Sequence, residues 1–142
     1  MGAPNRSIGR RWLRPIIERC NHCSASACDK PVSWATSCVT CVAEMPKLMA
    51  THDKYKARGY DTLAVAMQYD PPSYVVNFAQ TRKLPFDVAI DNTGAVAKAW
   101  GDVQLTPTSY VVNKKGEIVK RYVGEPDFAE LHQLIEKLLA ES

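Results

Sequence analysis

The residues with the clearest capacity for chemistry are five cysteines, all of which precede residue 42. They are Cys20, Cys23, Cys28, Cys38 and Cys41. An odd number of cysteines in less than a third of the chain is not the disulfide framework of a small secreted domain. The pattern indicates thiol chemistry or metal binding, with at least one thiol left unpaired.

Cys38 and Cys41 form a Cys-x-x-Cys motif at a predicted junction between a strand and a helix. Unpaired backbone N–H groups and the positive end of the helix dipole favour an anion at such a junction. The pKa of a free cysteine is about 8.5, and CxxC thiols span roughly 3.5–7.5. We therefore expect Cys38 to be the exposed nucleophile. Cys41, one turn further on, should be shielded and should resolve a mixed disulfide.

The elements that would position this motif can be predicted from residue 31 onward, where the apolar pattern becomes regular. Strands are predicted over residues 32–35, 62–67, 86–90, 109–112 and 118–123, and helices over residues 42–58, 73–81, 94–100 and from 127 onward. Pro46 should kink the first helix, and residues 113–116 should form a hairpin turn. Asp127 and Glu130 form a capping box that begins the last helix. This order predicts an α/β sandwich with a mixed central sheet.

The first 30 residues do not share this pattern. They contain six Lys/Arg against two Asp/Glu, and their only apolar cluster is interrupted by Pro15. They lack the 7–15-residue apolar stretch and the small-residue cleavage site of a signal peptide. No apolar run in the chain approaches the roughly 18–20 residues of a membrane span. We expect an atypical, poorly ordered basic segment over residues 1–30 and a folded domain over residues 31–142.

The composition excludes several classes of protein. Hydrophobic residues make up 46% and charged residues 23% of the chain, which is typical of a globular domain and not of a disordered or fibrous one. The net charge is +3, but the chain after residue 30 is slightly acidic, so we expect no nucleic-acid partner. His52 and His132 have no partner at ligand spacing, and we expect both on helix surfaces.

Two segments together resemble the thioredoxin superfamily, and more narrowly its TlpA/ResA-like branch. They are WATSCVTCVAEMP at residues 34–46 and TPTSYVVNKKG at residues 106–116. The similarity extends over about residues 31–142. It implies a thioredoxin-like three-layer sandwich, in which helices flank a central mixed β-sheet.

The resemblance also implies roles for individual residues in catalysis. Cys38 and Cys41 match the redox pair of the family. Glu44 matches the acidic residue that this branch carries just after its CxxC motif, where a carboxylate can tune a thiol pKa or move a proton. The alternative for Glu44 is an ordinary solvated residue in the first turn of a helix.

Three further residues are implied to contact substrate. Pro107 matches a cis-proline that faces the redox pair, although X-Pro bonds are usually trans. Thr106 would offer backbone groups to a substrate strand, and Trp34 would lie beside it.

The activity implied by the resemblance is thiol-disulfide exchange with protein disulfides or dithiols, without a cofactor or metal. The implied protein is a monomer in the bacterial periplasm or cell envelope that reduces exported proteins such as apocytochrome c. It would receive electrons from an upstream thiol-disulfide protein.

The chain departs from the family pattern at three places. Thr40 stands where this branch usually has proline, and Ser37 stands where many relatives have tryptophan, which makes the rim of the site more polar. Relatives also enter the motif through a long apolar strand, whereas this chain has only KPVSWA at residues 30–35. We therefore expect a truncated or atypical first strand. We also hypothesise that residues 1 to about 31 replace a native strand and export signal.

Two other functions are compatible with the cysteine pattern. The CxxC pairs at residues 20–23 and 38–41 give C-x2-C-x14-C-x2-C, which is close to zinc-ribbon spacing and could supply four thiolates to Zn²⁺. His22 or Cys28 could replace one ligand. The second alternative is a non-catalytic interaction domain of thioredoxin-like fold.

Overall fold

The computed structural model describes residues 28–113 and 117–141. Within these residues, five strands and four helices follow one another. In order they are β1 (Cys28–Trp34), α1 (Val39–Tyr55), β2 (Tyr60–Ala66), α2 (Pro72–Thr81), β3 (Asp87–Ile90), α3 (Ala95–Ala99), β4 (Thr108–Val112), β5 (Ile118–Val123) and α4 (Phe128–Ala140). The elements predicted after residue 31 are all present, with ends that differ by a few residues.

The strands form one mixed sheet in the order β3-β2-β1-β4-β5. The pairs β1–β2 and β2–β3 are parallel, and β1–β4 and β4–β5 are antiparallel. Because β1 is the central strand, the segment that leaves its carboxyl end starts in the middle of the sheet. This segment carries Cys38 into α1.

The first strand is longer than predicted. β1 begins at Cys28, ahead of the domain boundary predicted at residue 31, and it pairs with β2 along its whole length. The expectation of a truncated strand is therefore wrong, whereas the expectation of an atypical one holds, because the strand buries Lys30 and contains Pro31. The short apolar segment KPVSWA does not mark the full length of this strand, which is defined by its pairing with β2 and β4.

Helices cover both faces of the sheet. Ala64 and Ala66 of β2 pack in the cluster that contains side chains of α1 and α2, whereas Leu63 and Val65 pack with Val96 of α3. Successive residues of a strand point to opposite faces. The structure therefore has the three layers expected of the fold.

Helix α1 begins at Val39, with Cys38 as its N-cap residue, and a short 3₁₀ turn carries the chain on to Gly59. Gly59 has a φ of 102°, a left-handed conformation in which glycine ends helices at low cost. His52 is buried against β2, so its prediction as a surface residue is wrong. The residue lies on the same helical face as Cys41, Met45 and Leu48, which all point towards the sheet.

Some predicted features cannot be compared with the structure. Residues 1–27 of the predicted basic segment and residues 114–116 of the predicted hairpin turn lie outside the described residues. Asp127 does cap α4, where its side chain accepts hydrogen bonds from the backbone N–H groups of Ala129 and Glu130. Across the described ranges, no helix is long and apolar enough to cross a membrane.

Candidate active site

The two cysteines of the motif are joined in a disulfide at the start of α1, with their Cα atoms 5.2 Å apart. Cys38 is half-buried, and its sulfur accepts a hydrogen bond of 3.1 Å from the backbone N–H of Cys41. Cys41 is only 1% exposed and belongs to the core cluster beneath the helix. An incoming sulfur can therefore reach Cys38 more easily than Cys41.

The turn before β4 lies directly against Cys38. The Thr106–Pro107 peptide bond is cis, and the carbonyl oxygen of Thr106 lies 3.6 Å from Cys38 Sγ. The backbone on either side of this turn is held in place. Thr108 Oγ1 donates to the carbonyl of Leu105 at 2.6 Å, and the N–H of Gly124 donates to the carbonyl of Pro107 at 2.7 Å. Cys38 and Thr106, which are 68 positions apart in sequence, are thus in contact through the Cys38 sulfur.

Trp34 does not lie at the surface of the site. Its side chain is 0% exposed, and its ring packs against Phe78 of α2 with centroids 5.2 Å apart. The prediction that Trp34 contacts substrate is therefore corrected. Alternation along β1 places Trp34 on the same face as Val32, so it supports the active-site loop from below.

The loop before Cys38 is fixed by a residue that the sequence analysis missed. The carboxylate of Asp70 accepts hydrogen bonds from the backbone N–H of Thr36 at 2.7 Å and from its hydroxyl at 2.6 Å. Asp70 is buried and follows β2, the parallel neighbour of β1. No local sequence signal marks this contact, because Asp70 precedes Pro71 and Pro72 and reads as a turn residue.

Glu44 and Lys30 lie buried between α1 and β1. Glu44 is 1% exposed and Lys30 is 0% exposed, so the alternative of Glu44 as a solvated residue is wrong. Burial raises the pKa of Glu44 to about 7, while the positive charge of Lys30 opposes this rise. Burial lowers the pKa of Lys30 to about 8, and the charge of Glu44 opposes that fall. The sequence analysis places Lys30 in the basic segment. In the structure it lies two residues before Val32 in β1 and therefore shares a face of the sheet with Val32 and Trp34.

Four exposed apolar side chains are next in sequence to Cys38 or Thr106, or line a depression beside Ser37. They are Val39, Tyr69, Tyr74 and Leu105, of which Val39 is 83% exposed. A depression of about 360 Å³ next to them is lined by Thr36, Ser37, Tyr69, Asp70, Pro71 and Tyr74. The surroundings of Cys38 are thus less polar than Ser37 alone predicts.

Within the described residues, no group of three or more His, Cys, Asp or Glu side chains is placed to hold a metal ion. The zinc alternative depends on residues 20–23, which lie outside those ranges.

Comparison with known proteins identifies relatives of this chain. The model of the Redoxin family matches residues 31–135. The thiol-disulfide oxidoreductase ResA of Bacillus thuringiensis subsp. konkukian is 32% identical over 105 residues, which are 74% of this chain and 60% of that protein. The chain therefore spans about three-fifths of the length of this curated relative.

Solved structures agree with this family. The solution structure of a candidate thioredoxin from Neisseria meningitidis matches with a TM-score of 0.78 and 42% identity, over 82% of this chain and 77% of the other. A candidate thiol:disulfide interchange protein DsbE from Chlorobium tepidum matches with a TM-score of 0.74 and 25% identity, over 82% of both chains. With the family match over most of its length and these structural neighbours, the chain belongs to the Redoxin family and has a thioredoxin-like fold.

Proposed function

We propose that this protein is a thiol-disulfide oxidoreductase that exchanges disulfides with protein substrates through Cys38 and Cys41. One observation carries the proposal. The half-buried sulfur of Cys38 caps α1, is bonded to the buried sulfur of Cys41, and lies 3.6 Å from the Thr106 carbonyl. The activity in the name of the ResA relative supports the same chemistry.

Reduction of a substrate disulfide would proceed in two steps from the dithiol form. In the first, the Cys38 thiolate attacks one substrate sulfur, and the other leaves as a thiolate, which gives a mixed disulfide. In the second, Cys41 loses its proton and attacks Cys38 Sγ, the Cys38–Cys41 bond forms, and the second substrate sulfur leaves. The substrate gains two electrons, the CxxC pair loses two, and both substrate thiolates take protons from solvent.

The fold supports an extended polypeptide as the substrate. Thr106 is half-buried beside Cys38, so its backbone groups can pair with a substrate strand across the site, and cis-Pro107 sets the shape of this turn. The exposed side chains of Val39 and Leu105 would cover apolar residues of that strand. Catalysis would rest on Cys38, Cys41 and Glu44, and substrate contact on Thr106 and Pro107.

We further infer a reductive role for the protein in a bacterial periplasm or cell envelope. The names of the ResA and DsbE relatives support thiol-disulfide exchange, and the resemblance to the TlpA/ResA-like branch implies its direction and compartment. The substrates would be disulfides of exported proteins such as apocytochrome c, and an upstream thiol-disulfide protein would supply the electrons to the monomer.

The reduction potential of the Cys38–Cys41 pair tests the proposal. The full chain would be equilibrated in glutathione buffers, and the redox state of each cysteine read by alkylation and mass spectrometry. A potential near −270 mV, as in thioredoxin, supports a reductase, and one near −120 mV, as in DsbA, indicates an oxidase. The absence of any measurable couple would contradict the proposal.

Two cysteine variants separate the roles of the sulfurs, with insulin as the disulfide probe. Cys38→Ser should lower insulin reduction by at least about a thousandfold, because it removes the attacking sulfur. Cys41→Ser should accumulate a mixed disulfide between Cys38 and insulin that is visible by mass spectrometry. If the mixed disulfide formed through Cys41 instead, the two roles would be reversed.

A further inference from the structure

Lys30 occupies an unusual place for a lysine. It lies in the central strand β1, and its side chain is 0% exposed. Along a strand, every second side chain points to the same face, so Lys30 shares its face with Val32 and Trp34. These two residues pack in the core cluster that also contains Cys41. The lysine therefore points into the space between the sheet and α1, below the disulfide.

Glu44 enters the same space from the helix. It follows Cys41 by three residues on α1, a spacing that puts two side chains on the same helical face. Like Cys41, it is only 1% exposed. Among the described residues, neither Lys30 Nζ nor Glu44 Oε2 has a hydrogen-bond partner. The two buried side chains thus interact electrostatically, without a hydrogen bond between Nζ and Oε2.

The other charged groups near Glu44 lie towards solvent. Glu125 and Lys47 also act on it electrostatically, more weakly than Lys30. Lys47 Nζ forms an ion pair of 2.5 Å with Glu125 Oε2, and the two side chains are 55% and 29% exposed. Because these opposite charges are paired and screened, Lys30 is the main positive charge that Glu44 experiences.

We propose that Lys30 is a positioning residue for thiol-disulfide exchange. Its buried ammonium group keeps Glu44 ionised, so that the Glu44 carboxylate can take the proton of Cys41 when Cys41 attacks the mixed disulfide. This inference rests on the function proposed above and assigns a step of it to a residue outside the CxxC motif.

The proton and the electrons balance in this step. The Glu44 carboxylate accepts the Cys41 proton, Cys41 sulfur bonds to Cys38 Sγ, and the bond between Cys38 and the substrate sulfur breaks. The substrate sulfur leaves with the electron pair of that bond as a thiolate, which takes a proton from solvent. Glu44 returns its own proton to solvent, and Lys30 is unchanged.

The surroundings of the pair agree with this assignment. Burial raises the pKa of Glu44 to about 7, and Lys30 is the group that restrains the rise. Burial also lowers the pKa of Lys30, but only to about 8, so its amine remains largely protonated at pH 7. A carboxylate whose pKa lies near the working pH is well matched to accept a proton.

Stopped-flow reaction with dithiobis(nitrobenzoate) would test the inference, because each exchange step releases one thionitrobenzoate. Cys20, Cys23 and Cys28 would be serine in all variants, so that only the CxxC pair reports. The first phase of release is then the attack of Cys38 on the reagent, and the second is the attack of Cys41 on the mixed disulfide.

The rate of the second phase should depend on pH with a midpoint near 7 in the parent. In Lys30→Met this midpoint should rise by at least about one unit, and the second phase at pH 7 should slow about fivefold. The first phase should change less than about twofold.

Three further variants decide how Lys30 acts. In a Glu44→Gln background, Lys30→Met should have no additional effect on the second phase, as expected when one residue acts through the other. Lys30→Arg keeps the charge and should retain the parent midpoint. Lys47→Met is the matched control, because it removes the same charge from an exposed position, and it should move the midpoint by less than about 0.3 units.

The possible failures are distinguishable. An unchanged midpoint in Lys30→Met would overturn the inference, as would a shift that persists in the Glu44→Gln background, since Lys30 would then act on Cys41 directly. Absence of the second phase in the parent would instead contradict the proposed function. If Lys30→Met does not fold, Lys30→Gln and the ¹³C chemical shift of the Glu44 carboxyl group give the same comparison.

Discussion

Helix α1 buries a titratable side chain near each end, and the two side chains have opposite surroundings. Near its start, Glu44 faces the buried amine of Lys30, and in the described part of the chain neither Oε2 nor Nζ has a hydrogen-bond partner. Near its end, His52 Nδ1 lies 3.2 Å from the hydroxyl of Thr62. The first arrangement keeps charges in the core beside the reactive sulfurs, whereas the second holds an uncharged ring by a hydrogen bond.

The two ends should respond to pH in opposite directions. The folded-state pKa of Glu44 is about 7, above its ordinary 4.5, so the stability it contributes is present below pH 4.5 and is lost as the pH rises to 7. Burial lowers the pKa of His52, so its contribution is present above pH 6.5 and is lost as the pH falls. Near neutral pH, Glu44 at the start of α1 therefore lowers the free energy of unfolding, whereas His52 at the other end does not.

The largest expected effect comes from removing both charges at the reactive end. Lys30→Met combined with Glu44→Leu should raise the free energy of unfolding by about 1–4 kcal/mol at pH 7.5, because the cost of burying two ions disappears. The fall in stability between pH 4.5 and 7 should disappear as well. Guanidinium chloride unfolding at pH 4.5, 6 and 7.5 measures both effects. A double variant less stable than the parent at pH 7.5 would show that the pair stabilises the fold.

A smaller effect is expected at the other end of the helix. Thr62→Val removes the hydroxyl that faces His52 and should lower the free energy of unfolding by about 1 kcal/mol at pH 7. The reduction potential should stay the same, since the site is at the opposite end. Thermal unfolding provides the measurement.

His52→Gln provides the control for that end, because it retains polar groups but does not titrate. Its stability should fall less than that of the parent between pH 6.5 and 5. His132, whose pKa burial also lowers, would account for the remaining slope. An identical slope in this variant and the parent would contradict the difference between the two ends.

The smallest effect is expected from the solvent-exposed ion pair between Lys47 and Glu125. Lys47→Met should change the free energy of unfolding by less than about 1 kcal/mol, because the Lys47–Glu125 pair is screened by solvent. Unfolding in urea at low and high salt would check this. A loss of 2 kcal/mol or more would contradict the screening of the Lys47–Glu125 pair by solvent.

The reactive cysteines and the order of the helices and strands could be predicted from local sequence patterns. The CxxC spacing located Cys38 and Cys41, and alternating or helical apolar periods located the elements after residue 31. These features depend on neighbours in sequence. The turn at Thr106 was implied by the resemblance to the thioredoxin superfamily. The comparison with relatives confirms the family but does not test the role of each residue.

The parts that could not be predicted depend on contacts between distant segments. Asp70 binds Thr36 from the loop after a neighbouring strand, 34 residues away. Lys30 is the last residue of the predicted basic segment over residues 1–30, and only the pairing of β1 with β2 and β4 places it in the core. The resemblance implies that Trp34 contacts substrate, and the lack of a partner at ligand spacing predicts His52 on a helix surface. Strand alternation and helical phase bury both side chains.

The position of β1 has a consequence for how the protein is made. The central strand and the CxxC motif leave the ribosome before the Thr106 turn that faces Cys38, which follows Cys38 by 68 residues. Domains form during synthesis in order from the amino terminus, and contacts distant in sequence form last. While those 68 residues are synthesised, the nascent chain carries Cys38 and Cys41 without the Thr106 turn that lies against Cys38 in the folded domain. During that interval the two thiols are open to exchange with other disulfides, and the contact with Thr106 forms only when β4 pairs with β1.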